Sequence, residues 1–266
     1  MLMKSSQALL LALCTAACLL PGAALAAGPF DGTWKAQMDS VAQESPPDEF
    51  ELRDGHFACR SCAPGYDIRA DGSDQHVAGH SYFDTVAVQV VGPRQVVRTS
   101  KLKGRIIARE TLVVSEDGSA LTNVIEDNSG AKPVTWNQLS TRLSAAPAGA
   151  HAVSGSWKLQ KMPGASDAAT TIVYRDSGDS LHMDYNGLSF DARFDGKSVP
   201  MHNDPGGTWV ALKRAAPRVI EETDSRDGKV TALTTMTVSG DGSTIEVVMR
   251  DTTRNTTTSY KLVRQP

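Results

Sequence analysis

His56, Cys59 and Cys62 stand at three-residue intervals, and their types and spacing could do chemistry. A C-x-x-C pair can cycle between dithiol and disulfide, supply half of a zinc site with His56 as a third ligand, or be a structural disulfide. A redox pair of the thioredoxin kind opens a helix whose positive end lowers the thiol pKa. Here Ala63-Pro64-Gly65 follows at once and breaks any helix. The spacing therefore favours a Cys59–Cys62 disulfide staple over redox or metal roles. So short a loop restrains the unfolded chain little, less than the roughly 3 kcal/mol of a fifteen-residue loop.

His76, His80 and Asp84 form a second, weaker grouping on one loop and the start of the next strand, open to a metal or acid–base role but read first as solvated loop residues. His151, His182 and His202 have no chemical partner nearby in sequence. The chain has no G-x-S-x-G elbow, no phosphate-cradling glycine loop and no H-E-x-x-H. Adjacent carboxylates such as Glu221-Glu222 project to opposite faces of a strand and cannot work as an acid–base pair there. The sequence thus predicts no catalytic residue, no metal centre and no cofactor, and a protein more readily read as a binder than as an enzyme.

The elements that carry these residues occur twice. Gly32-Thr33-Trp34-Lys35 is answered by Gly155-Ser156-Trp157-Lys158; Asp71, Pro93 and Ser115 are each answered 124 residues on, by Asp195, Pro217 and Ser239. A constant offset over so long a stretch marks two copies of one folding unit. Within each copy, apolar residues alternate with period two, as in Val86-x-Val88-x-Val90, Leu188-x-Phe190-x-Ala192 and Ile245-x-Val247-x-Met249. Asp-Gly and Asn-Gly dipeptides between the runs supply hairpin turns. The fold expected is all-β, two tandem antiparallel up-and-down barrels over 28–144 and 152–266, joined by a small-residue linker at 145–151. Met38 to Asp48 and Lys161 to Ala169, broken by prolines, read as irregular loops with room for one helical turn. Aligned on the shared Asp-Gly, Cys59 to Cys62 overlays Met183 to Asn186, so the cysteines bracket a hairpin turn.

Residues 1–26 carry a single charge, Lys4, then an apolar run, Pro21-Gly22 and an Ala24-Leu25-Ala26 exit. This is the pattern of a secretory signal peptide, which places the protein in the periplasm or outside the cell; a lipoprotein reading at Cys18 is disfavoured because Thr15 stands where Leu is usual. Its removal leaves 26 basic against 30 acidic residues, a net charge of −4, and leaves Cys59 and Cys62 as the mature thiols. Such a mixed, mildly acidic surface argues against nucleic acid or anionic membrane as partners. No later run is apolar enough for a transmembrane segment.

The Gly-x-Trp opening followed by hairpins resembles lipocalins and fatty-acid-binding proteins. That resemblance implies a Trp closing one barrel end under an Arg of the last strand, Trp34 with Arg142 and Trp157 with Arg264. The chain is also similar to a family of exported bacterial proteins built on G-T-W-K, then D-G, then V-S-x-D-G, a resemblance that covers nearly the whole mature chain, implies tandem lipocalin-like barrels and carries no reaction with it. A barrel interior can hold a small apolar molecule, which Val86, Val88, Phe190 and Met249 would line. The alternatives are a solidly packed envelope module and a thiol- or metal-dependent enzyme at the C-x-x-C.

Overall fold

The computed structural model describes residues 28–266; the expected signal peptide, with Cys14 and Cys18, lies outside the described residues. The alternating runs fold as antiparallel strands in two sheets of ten and eleven strands, each curled into a nearly closed barrel. Both copies draw the curl together at the same place: Asp71 bridges to Gln89 and Asp195 to Lys213. The following glycine amides donate to Val88 and Leu212 at 2.8 and 3.0 Å. The two S-x-D-G-S turns are equally alike. Asp117 accepts from the Ser115 and Ser119 hydroxyls and the Ser119 amide, and Asp241 does the same with Ser239 and Ser243. These bonds, from Ser115 and Ser239 first, hold both carboxyls down to about 2.

The sheets do not follow the contiguous division at 145–151. The opening strand Gly32–Ala36 lies between Thr171–Asp176 and Thr256–Arg264, strands of the second copy. The opening strand of the second copy, Gly155–Ala165, lies between Val134–Ser144 and Asp48–Arg53, strands of the first. The two copies have exchanged their first strands. The first barrel is therefore built from residues 48–144 with 155–165, and the second from 32–44 with 171–264. Local connectivity explains the exchange. Val134–Ser144 and Gly155–Ala165 are consecutive strands on a short loop, and such strands pair as neighbours. Once Gly155–Ala165 fills the gap in the first barrel, Gly32–Ala36 has its nearly identical place left in the second.

The same exchange corrects the Trp–Arg pairing. Arg264 stacks on Trp34 with its guanidinium 4.2 Å from the ring centroid, and Arg142 on Trp157 at 4.0 Å. All four expected residues take part, with partners swapped. Each indole donates to a carbonyl four residues back, Phe30 or Val153, and each arginine also donates to loop carbonyls, Pro29 and Gly242 for Arg264, Ala152 and Ser154 for Arg142. This plug accounts for the glycine of the motif. Gly32 and Gly155 sit at φ +125° and +122°, and a Cβ there would come within 2.7 and 2.8 Å of the arginine Nη1 atoms. Around each plug is a packed core, with Phe30, Leu181, Phe190 and Ile220 in the second barrel and Phe57, Val86, Val88 and Leu112 in the first.

The two irregular loops each contain one helical turn, Met38–Ser40 and Asp167–Thr170. They are shorter than expected. Gly155–Ala165 continues as strand through Pro163-Gly164, and Ala42–Glu44 adds to Thr256–Arg264.

Candidate functional site

Away from the plugs, the two barrels face each other and line a partly open cavity of about 870 Å³. Contacts across the junction are specific. Tyr82, from the loop before Thr85–Gly92, reaches the second barrel, where Arg226 stacks on its ring at 4.6 Å and donates to its hydroxyl at 2.7 Å. Asn186 exchanges hydrogen bonds with Lys132 and its carbonyl accepts from the Ala131 amide. Asp48 and Arg254 pair across the gap at 3.6 Å. Burial raises the Asp48 carboxyl above its ordinary range, opposed by Arg254 and then Arg98.

The wall contributed by the first barrel is polar at its centre. Arg98, on Gln95–Leu102, pairs across the sheet with Glu110 on Arg105–Val114, and only 14% and 16% of their side-chain surfaces are exposed. Asn123 donates to the same Glu110 oxygen at 3.2 Å. Arg98 also donates to the Tyr66 hydroxyl at 3.2 Å, and its Nη1 lies 3.8 and 4.0 Å from the sulfurs of Cys62 and Cys59. Burial works against the Arg98 charge, but Glu110 and then Tyr66 outweigh it and hold the guanidinium firmly protonated. The Arg98 Nε and Asn123 Oδ1 atoms are buried without a protein partner.

The same positions in the second barrel carry different chemistry. Glu222 stands where Arg98 does, Thr234 where Glu110 does, and Asp224 where Ser100 does. Glu222 and Asp224 lie two residues apart on one face of Val219–Arg226. Burial first, then mutual repulsion, raises the Glu222 carboxyl well above its usual range, and burial lifts Asp224 to about 6. Each carboxyl thus opposes ionisation of the other in a buried setting. Tyr260 stands beside it, pushed up to about 12 by burial and then by Glu222.

Of the four residues expected to line a pocket, Met249 lines this cavity. Val86, Val88 and Phe190 are fully buried inside the packed cores instead. Cys59 and Cys62 form a disulfide, but they do not bracket the turn: Cys59 ends the strand His56–Cys59 and pairs with Tyr66, while Cys62 lies within the connection to Tyr66–Arg69, and both border the cavity. His56 is at the far end of that strand, 3.1 Å from Asp67. The His76, His80 and Asp84 grouping does not converge. His80 stacks on Phe83 at 4.3 Å, while Asp84 accepts from the Thr85 hydroxyl and the Lys103 amide. Among the described residues, no three His, Cys, Asp or Glu side chains are placed to hold a metal ion. None of their helices is long and apolar enough to cross a membrane.

Sequence reading missed Arg98, Glu110 and Asp224, and weighed Glu222 only beside its neighbour Glu221. Their signal was present: Val96-x-Arg98-x-Ser100 and Ile220-x-Glu222-x-Asp224 continue the inward face of a strand with polar residues. Attention to apolar alternation alone passes over it. Compared with protein-family models, with curated proteins and with solved structures, the chain matches none.

Proposed function

We propose that this is an exported, periplasmic or secreted, non-catalytic protein that binds a small molecule with an apolar body in the cavity between its two lipocalin-like barrels. The observation that carries this reading is the cavity itself. Its volume of about 870 Å³ is within the range of small-molecule sites, and Ile107, Ile125, Leu159, Leu188 and Met249 supply apolar wall beside a few polar groups. The residues holding the barrels mouth to mouth, Tyr82 and Arg226 above all, would then act as positioning residues for the site.

A second reading, a packed envelope or interaction module, draws support from the filled interiors around Trp34 and Trp157. Native mass spectrometry of the protein purified from its own host separates the two. A carrier shows a mass excess that survives gentle ionisation and disappears on denaturation. A bare mass from several preparations would favour the packed module.

A further inference from the structure

Resting on the cavity-binding reading, we infer that the ligand is an organic cation with a diffuse positive charge and an apolar body. The charges on the cavity wall are unequal. Asp48, Glu49, Glu110, Asp127, Asp204 and Asp251 face it, against Arg60, Arg98 and Arg254. Each arginine is already matched, Arg98 to Glu110, Arg254 to Asp48, and Arg60 to Glu51 just outside the wall. Glu49, Asp127, Asp204 and Asp251 have no basic partner among the described residues. A cleft with low-dielectric walls focuses such an excess of negative charge.

The rest of the wall suits the same guest. The rings of Trp136 and Tyr185 border the cavity with Met201 and Met249, and Tyr82 on the same wall already holds one cation, Arg226, over its face at 4.6 Å. Aromatic faces attract cations, and the gain grows as the cation is desolvated. A compact ammonium loses strong hydration on entry, whereas a quaternary or delocalised cation loses less. Asn123 leaves a carbonyl oxygen without a partner on this wall; the Arg98 Nε is the one orphaned donor beside it. An anionic guest would meet four carboxylates that no lysine or arginine neutralises, while each arginine of the wall is already paired and Arg226 just behind it is held on Tyr82 and Thr208.

Two probes of one shape and opposite charge test this on the intact mature protein: tetraphenylphosphonium and tetraphenylborate, titrated by isothermal calorimetry at physiological ionic strength. The cation is expected to bind at least about tenfold more tightly than the anion. Glu49→Gln with Asp127→Asn, which keeps the acceptor used by the Ser129 amide, should shrink that preference several-fold without altering the melting profile. Equal affinities, or a preference for the borate, overturn the charge inference and leave the carrier reading standing. Failure of both probes to bind overturns both.

Discussion

The interiors of the two barrels are one scaffold given opposite electrostatic solutions. At matching positions the first barrel has Arg98 facing Glu110, and the second has Glu222 facing Thr234 with Asp224 beside it. The first satisfies a buried charge with its opposite and two further hydrogen bonds. The second leaves two carboxyls with no ion-pair partner, only Arg226 acting on Asp224 from further off, and burial pushes both toward the protonated form. The second barrel places its own buried ion pair elsewhere: Arg214 meets Asp176 at 2.6 Å near the Trp34 plug, where the first barrel has Val90 and Leu52. Duplication preserved the turns and plugs that close the barrel. The interior charges were free to move, because each arrangement needs only local compensation.

The largest effect expected from disturbing this contrast comes from Arg98→Met. It strands Glu110 in a largely buried wall and should cost about 3–5 kcal/mol in chemical denaturation, most of which returns when Glu110→Leu is added. The second barrel should respond in the opposite sense. Because Glu222 and Asp224 hold a proton in the folded protein at pH values where the unfolded chain has released it, folding stability falls as pH rises from about 4 through about 6. Glu222→Gln removes that contest, so it should raise the denaturation midpoint at pH 8 and change it little at pH 4. A pH-independent effect would show that the carboxyls retain no proton. Smaller again is the staple, found in the first barrel only. Replacing Cys59 and Cys62 by Ser should cost about 2 kcal/mol, as expected for so short a loop, and thermal melts of the oxidised protein and the double variant measure it.

The all-β architecture was legible because two signals agree along each strand: period-two alternation such as Val86-x-Val88, and positive-φ dipeptides such as Asp54-Gly55 at the ends. The Trp–Arg plugs were legible as residues and illegible as pairs. Gly32-Thr33-Trp34-Lys35 and Gly155-Ser156-Trp157-Lys158 are interchangeable as sequence, so only the short connection from Ser144 to Gly155 decides which barrel each completes. The site was the least legible part. Its cavity arises from the docking of one barrel on the other through Tyr82, Asn186 and Asp48, contacts between residues far apart in sequence with no local pattern to mark them. Met249 reached the cavity because it lies near the end of its strand, whereas Val86, Val88 and Phe190 lie within the filled interiors.

The exchange of opening strands makes the shared cavity, and with it the proposed function, a property of the whole chain. Cutting the chain tests it directly. A specific protease site inserted between Ala146 and Gly149, in the exposed connection, yields two fragments once the folded protein is cleaved. With the strands exchanged, each barrel contains a strand from both fragments, so native mass spectrometry and gel filtration at submicromolar concentration should still find one 1:1 particle. Separation into two folded fragments of half the mass without denaturant would contradict the exchange.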